Sequence, residues 1–418
     1  MRPVERVLAS LDATSTWQEA LYRDLHAHPE LSTQEHATAA EVAGRLRDWG
    51  YQVHEGIGGT GVVGVLANGP GKTVLARADM DALPVKEATG LPYASTVTAL
   101  DLRGEEVPVM HACGHDVHVV CLLGAAQLLA AARDAWTGTM VALFQPDEEL
   151  IGGARAMVDD GLVARIPQPD VALAQHVLPV AAGTVGTRPG PLFSSADSIR
   201  VTVYGRGAHG SMPQNAVDPV VLAAHIVVRL QTIVSREVAP DEFAVVTVGA
   251  LSAGTAGNII PDLAELRIDV RAYDPRVRRR VLDAVERMVE AECRASGSPQ
   301  PPRFEYSLAC PATVNDGEVT AVVAGAFTER FGPNAVQLER QTPSEDFGFL
   351  ADAFGVPYTY WGFGGVDPAR YATAVAAGRV SSDIPVSHSP YFAPVIQPTL
   401  RTGTEAVVVA VLAFVGRS

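Results

Sequence analysis

The stretch Met110-His111-Ala112-Cys113-Gly114-His115-Asp116-Val117-His118 packs three imidazoles, one thiol and one carboxylate into nine positions, and an apolar run follows at once. Thiolate and neutral imidazole both bind divalent transition metals. If the backbone is extended here, Cys113 and His115 point to the same face and supply half of a metal site. The ordinary alternative is a redox-inert cysteine beside polar histidines. It loses ground because further donors follow downstream.

Gln145-Pro146-Asp147-Glu148-Glu149 closes the apolar run 139–144. A strand end beside a proline becomes a turn, and adjacent glutamates there point in different directions. One can hold a metal while its neighbour handles a proton, the division of labour that hydrolysis needs. Standing alone, the pair reads equally well as a solvated acidic turn. Asp170–Gln175 is an apolar strand ending at His176, where a lone histidine would more often be a hydrogen-bonded core residue. His388, in Pro385-Val386-Ser387-His388-Ser389-Pro390, sits in a proline-flanked turn with no packing role that the sequence identifies. Another apolar strand, 73–76, ends at Arg77-Ala78-Asp79-Met80-Asp81, and the ends of buried strands are where α/β folds keep their chemistry.

Alternating strands and helices are expected to carry these residues. Residues 15–49 read as helix, broken near His28-Pro29-Glu30, with Ser32 or Thr33 ahead of Glu35 suggesting a capped second start. Gly58–Gly61 forms a turn into a strand at 62–66; no P-loop Lys-Ser/Thr follows it, so it is not read as a phosphate cradle. Residues 117–133 predict a buried helix and 138–144 a further strand. Strand, helix and strand in repeated order imply an α/β domain with a mostly parallel or mixed sheet covered on both faces.

The texture changes after about Thr187. Strands at 198–204, 243–251, 263–272 and 303–308, with helices at 218–235 and 277–293, give the ferredoxin-like order β-α-β-β-α-β. A discontinuous first domain, 1–187 and 308–418, would thus be interrupted by a second, 188–307. The segment 362–379 reads as a surface excursion of small residues.

A length of 418 residues also favours two domains. A formal charge of −15 argues against nucleic-acid or anionic-membrane partners. Four scattered cysteines make no disulfide framework, and with one of them a candidate ligand, a reducing cytoplasm is expected. Residues 1–12 lack a signal-peptide core, and the apolar runs near 121–132 and 406–415 are too short to span a bilayer. Neither the G-x-S-x-G elbow of serine hydrolases nor the deaminase pairing of H-x-E with P-C-x-x-C occurs.

Taken in order, His26-x-His28-Pro29-Glu30-Leu31, Gly58–Gly61, Arg77-Ala78-Asp79-Met80-Asp81-Ala82-Leu83-Pro84, Met110–His118, Gln145–Glu149, Gly207-x-His209-x-Ser211-x-Pro213, Asn258-Ile259-Ile260-Pro261 and Ser344-Glu345-Asp346-Phe347 run through nearly the whole chain. Their joint spacing resembles the M20 metallopeptidases, in particular the amidohydrolase branch that holds the N-acyl-amino-acid, hippurate and indole-acetyl-amino-acid hydrolases. The resemblance implies a metallo-exopeptidase-like catalytic domain with an inserted dimerisation or lid domain. It implies two divalent metal ions per subunit (zinc, manganese, cobalt or nickel) on Cys113, His115, Glu149, His176 and His388, with Cys113 bridging. Glu148 would be the general base, and Asp81 the acid that orients a metal ligand. Asp79 stands where the wider family has a metal-binding histidine, and its role stays open. His209 would reach the partner subunit's site in a homo-oligomer, a dimer or tetramer of dimers. Asn258 and Arg271 would grip the substrate's carboxylate, although Asp269-Val270-Arg271-Ala272-Tyr273 departs from the family's Gly-Thr-x-Arg.

The implied reaction is hydrolysis of small N-acyl amino acids. Amides resist water because the carbonyl is a poor electrophile and the amine a poor leaving group; metals and a general base address both. A dipeptidase or carbamoyl-amino-acid hydrolase on the same scaffold is a second reading, and a silent metabolite-binding relative a third. The intact Glu148 and five donors speak against the last. His111 and His118 either tune the site or pack beside it, Asp116 reads equally as a helix N-cap, and Glu345 and Asp346 have no independent role.

Overall fold

The strand Gly138–Gln145 is buried on both faces from Met140 onward, as a strand must be when helices cover both sides of its sheet. In the computed structural model, which describes residues 2–415, it lies third in an eight-stranded sheet. The order is Gln52–Ile57, Gly61–Asn68, Gly138–Gln145, Thr73–Asp79, Val171–Ala181, Tyr358–Val366, Val185–Thr187 and Ala335–Gln337. The four middle strands from Gly138–Gln145 to Tyr358–Val366 run parallel to one another; each end of this group pairs antiparallel with the next strand outward, Gln52–Ile57 is antiparallel to Gly61–Asn68, and Ala335–Gln337 is parallel to Val185–Thr187. This is the mixed, helix-covered sheet that the strand–helix alternation implies.

The helix His115–Ala131 is buried on nearly every side and packs against Leu11–Ala27 and Ile396–Val415. Ile396–Val415 is longer than the apolar run read from the sequence, and by length and composition it could cross a membrane; most of it is buried in this unit's core instead. A second correction concerns 362–379. Gly362–Val366 is the end of a sheet strand, paired Gly362 to His176, and Pro368–Ala376 is a helix capped by Asp367. The glycines there mark close packing: a Cβ on Gly364 would lie 1.9 Å from the Ala181 carbonyl oxygen.

Contacts divide the chain into one unit of residues 1–190, 314–339 and 346–418 and another of 191–313 and 340–345. The boundaries fall a few residues later than the sequence texture suggested. Residues 340–345 join the second unit because Gln341 N–H donates to the Leu192 carbonyl and Ser194 N–H to that of Pro343.

The second unit is a four-stranded antiparallel sheet ordered Ala244–Ala253, Leu263–Ala272, Ser195–Tyr204 and Arg303–Cys310. Its helices Pro219–Arg236 and Pro275–Ala295 cover one face, where Ile199, Val201, Leu266, Ile268 and Val270 meet Leu222, Ile226, Val281 and Val285. Each helix opens with Asp-Pro. The Asp218 and Asp274 carboxylates accept backbone N–H groups of the first turn, and proline at the next position costs no hydrogen bond.

Candidate metal centre

Cys113 does not lie on an extended strand. His111–Gly114 is a turn, Gly114 adopts φ +86° as the N-cap, and His115 is the first residue of the helix His115–Ala131. That left-handed residue must be glycine, since a Cβ there would also stand 2.5 Å from Val177 Cγ1. Cys113 and His115 still converge, because the sharp turn brings both toward His176. The ligating atoms of Cys113, His115 and His176 lie within 4.8 Å of one another, as do those of Cys113, Glu149 and His388. Cys113 thus belongs to two overlapping triads.

His115 and His176 are each oriented by a partner on the far side of the ring. His115 Nδ1 donates to the Asp81 carbonyl at 2.8 Å, with Asp81 Oδ1 at 3.2 Å. His176 Nδ1 donates to the Val177 carbonyl at 2.6 Å, which leaves its Nε2 as a lone pair 3.3 Å from Cys113 Sγ. A carbonyl only accepts, so both rings carry their proton on Nδ1. Asp81 Oδ2 accepts from Ser32 Oγ at 2.6 Å and from Glu149 N–H at 3.0 Å, tying the 73–81 strand end to the glutamate turn. His388 is held by its backbone N–H on the Ala112 carbonyl, and its Nε2 lies 3.3 Å from Glu149 Oε2.

Glu148 and Glu149 sit in the turn after Gly138–Gln145, between Asp147 at φ +52° and Ile151 at φ +58°. His388 is at φ +69°. Three of the four non-glycine residues with positive φ among the described residues therefore flank or form the site. Such conformations cost about 1 kcal/mol or more each and persist where surroundings impose them.

The donor set fits divalent cations. His115 Nε2 and Glu149 Oε1 are buried without any hydrogen-bond partner, 3.8 Å apart. Unpaired buried polar atoms are costly and call for an occupant. Burial disfavours a charged His115, yet Asp79 and Asp81 outweigh it and hold its pKa well above the usual value. The same excess of negative charge attracts a metal. Burial and then the Glu149 charge push the Cys113 thiol up, so a cation would be needed to hold it as thiolate. Burial keeps His176 neutral, well below the ordinary histidine range. Donors of this mixed kind suit zinc, manganese, cobalt or nickel alike.

Residues 75–382 match the profile of peptidase family M20/M25/M40. The chain belongs to this family. Among its M20 relatives is a hippurate hydrolase of Campylobacter jejuni, 38% identical over 82% of this chain and 87% of that protein. An N-acetyl-L-cysteine deacetylase of Bacillus subtilis is 35% identical over 82% and 79%. The solved structure of the Bacillus subtilis YXEP protein, described as a dinuclear metal binding peptidase from the M20 family, superposes with a TM-score of 0.76 at 28% identity, covering 96% of this chain and 99% of that one.

The further residues that the family resemblance implies, His209, Asn258 and Arg271, lie in the second unit. His209 and Asn258 meet on a short ribbon, where Ala208–His209 pairs with Ile259–Ile260 and Gly210 N–H donates to the Asn258 carbonyl. Both side chains are exposed, and His209 Nδ1 is 2.7 Å from Ser211 Oγ. Arg271 is already engaged: its Nε donates to Asp269 at 2.7 Å and Nη1 to Ser344 Oγ at 2.7 Å.

Sequence reasoning missed several supports. Asp116 is not the N-cap; its Oδ2 lies 2.7 Å from His26 Nδ1, whose Nε2 is 3.2 Å from Glu87. Asp346 accepts from Gln145 at 2.7 Å and from Ala154 N–H at 3.0 Å, clamping both ends of the segment that carries Glu148 and Glu149. No local pattern signals either contact, since the partners are 90 to 201 positions apart. His111 is buried with neither ring nitrogen hydrogen-bonded, and burial lowers its pKa to about 4.

Proposed function

We propose that this chain is a metal-dependent amidohydrolase that releases an amino acid from small N-acyl-L-amino acids. The observation that carries it is the pair of overlapping donor triads sharing Cys113, with His115 Nε2 and Glu149 Oε1 left unpartnered between them. Cys113, His115, Glu149, His176 and His388 would hold two divalent ions. When bound, such ions polarise a carbonyl and lower the pKa of water. Glu148, whose Oε2 is 3.9 Å from His115 Nε2, takes the water's proton and delivers it to the departing nitrogen. Asp81 keeps His115 in the tautomer that presents Nε2.

A second copy of the chain completes the scheme. Exposed Val220, Val221 and Val228 on the helix Pro219–Arg236, with Val245 and Leu251 on the sheet-edge strand Ala244–Ala253, offer apolar surface and an open edge to a partner subunit. His209 of one subunit then donates to the oxyanion at its partner's site, a role worth about 10²–10³ in rate. Asn258 binds the substrate carboxylate, and Arg271 joins it by exchanging Asp269 for the ligand. Buried thiols at Cys113, Cys121 and Cys293 that form no disulfide support a reducing cytoplasmic location.

The test is amino-acid release from acetyl, benzoyl and indole-acetyl amino acids by metal-reconstituted protein, with dipeptides and carbamoyl amino acids alongside. Release from the acyl conjugates is expected. Turnover of dipeptides or carbamoyl substrates alone would move the assignment to those activities.

A further inference from the structure

We infer that His118 is a positioning residue that substitutes for a missing strand and thereby fixes His176. The strand Thr73–Asp79 pairs with Val171–Ala181 only as far as Arg77 opposite Ala174. Beyond that point the Val171–Ala181 strand keeps its other neighbour, with Phe363 opposite Val177, but has no ladder partner on the Thr73–Asp79 side. There Val177 N–H donates to His118 Nε2 at 2.8 Å. The imidazole continues the ladder where the backbone stops, so the buried amide is not orphaned.

Both nitrogens of the ring are committed. Because Nε2 accepts from an N–H, the proton sits on Nδ1, which donates to Asp79 Oδ1 at 2.5 Å. Asp79 Oδ2 in turn accepts from Arg77 Nη1 at 2.7 Å. Arg77, Asp79, His118 and Val177 are all buried. With one oxygen on His118 and the other on Arg77, the carboxylate at 79 anchors this relay.

The consequence falls on His176. Val177 N–H goes to His118 while the Val177 carbonyl takes the His176 Nδ1 proton, so one residue's backbone links the two rings, whose centroids lie 4.6 Å apart. Loosening the first bond frees the carbonyl that sets the tautomer and aim of His176 Nε2.

This inference rests on the metal-site reading, and the experiment separates the two. Gln places an acceptor where His118 Nε2 stands; Asn reaches only the Nδ1 position. Metal retention under chelator competition, the absorption of the cobalt-loaded protein and hydrogen exchange at Val177 are compared in wild type, His118→Gln and His118→Asn, with thermal melting confirming that each folds. His118→Asn is expected to hold one of its two ions about 10–100-fold more weakly. Its cobalt spectrum should change, and Val177 should exchange roughly tenfold faster. His118→Gln should stay near wild type on all three. Wild-type behaviour of His118→Asn, or equal loss in both variants, overturns the inference. Wild-type protein that binds no metal would instead sink the metal-site reading, and Val177 exchange would still decide the role of His118.

Discussion

At His118 and His176 one ring nitrogen is spent on a carboxylate or carbonyl, which leaves the other as a directed lone pair, and at His115 the Asp81 carbonyl takes Nδ1 and turns Nε2 toward the other donors. This residue-scale device converts a cluster of donors into a site. His26 works differently, since both its nitrogens face carboxylates, Asp116 and Glu87. Burial disfavours its charge, but the two carboxylates prevail and raise its pKa to about 10. An unfolded histidine titrates near about 6.5. The stabilisation is therefore complete below that pH and is lost as pH rises toward 10. His26→Gln is expected to lose a few kcal/mol, on the order of 2–4, at pH 7 and to show a flatter decline in stability from pH 7 to 10 in urea unfolding. Equal slopes in the two proteins would contradict this. The donors themselves were legible in the sequence, because Cys, His and Glu declare their chemistry by type. Their supports were not: Ser32, Glu87 and Asp346 look like any polar residue until the fold brings them across.

At the scale of elements, the turn into the helix His115–Ala131 matters most. An extended reading of 113–115 placed the right pair together for the wrong reason, since nothing local reveals that Gly114 adopts a positive φ. Gly114→Ala meets both the strained φ and Val177, and should cost about 1–3 kcal/mol. It should also weaken metal retention, measured by melting and metal analysis; an unchanged protein would show the turn to be dispensable. The helix His36–Asp48 gives a second case. Ser32 and Thr33 suggested its cap, yet Glu30 receives the Ala37 and Thr38 N–H groups at 2.8 Å, while Glu35 accepts from Thr60. Glu30→Ala should destabilise by about 0.5–2 kcal/mol, the range of a lost cap, and a smaller shift in thermal melting would mean that water replaces it. Pattern reading found the helices at 15–49, 117–133, 218–235 and 277–293 and the six elements of the inserted unit, but not the helices Gly317–Phe331 and Ile396–Val415. It failed at 362–379, where glycine signals close packing rather than a loop.

For the whole molecule, the proposed exchange of His209 between subunits makes a distinctive demand. His209→Ala and Glu148→Gln should each be nearly inactive alone. Co-assembled, they should regain up to about a quarter of wild-type activity, because one site in half of the dimers then holds both intact residues. No recovery, or a fully active monomer by light scattering, would remove His209 from the partner's site. Oligomeric contacts lie beyond sequence reasoning because an exposed apolar strand edge and an ordinary half-buried strand share one pattern.

The most direct measurement is metal content and rate together in Glu148→Gln. Two ions per chain with N-acyl amino acid hydrolysis reduced by about 10²–10⁴ is the predicted result. Undiminished hydrolysis with both metals bound would contradict the assignment of Glu148 as the base, and with it the mechanism proposed for this site.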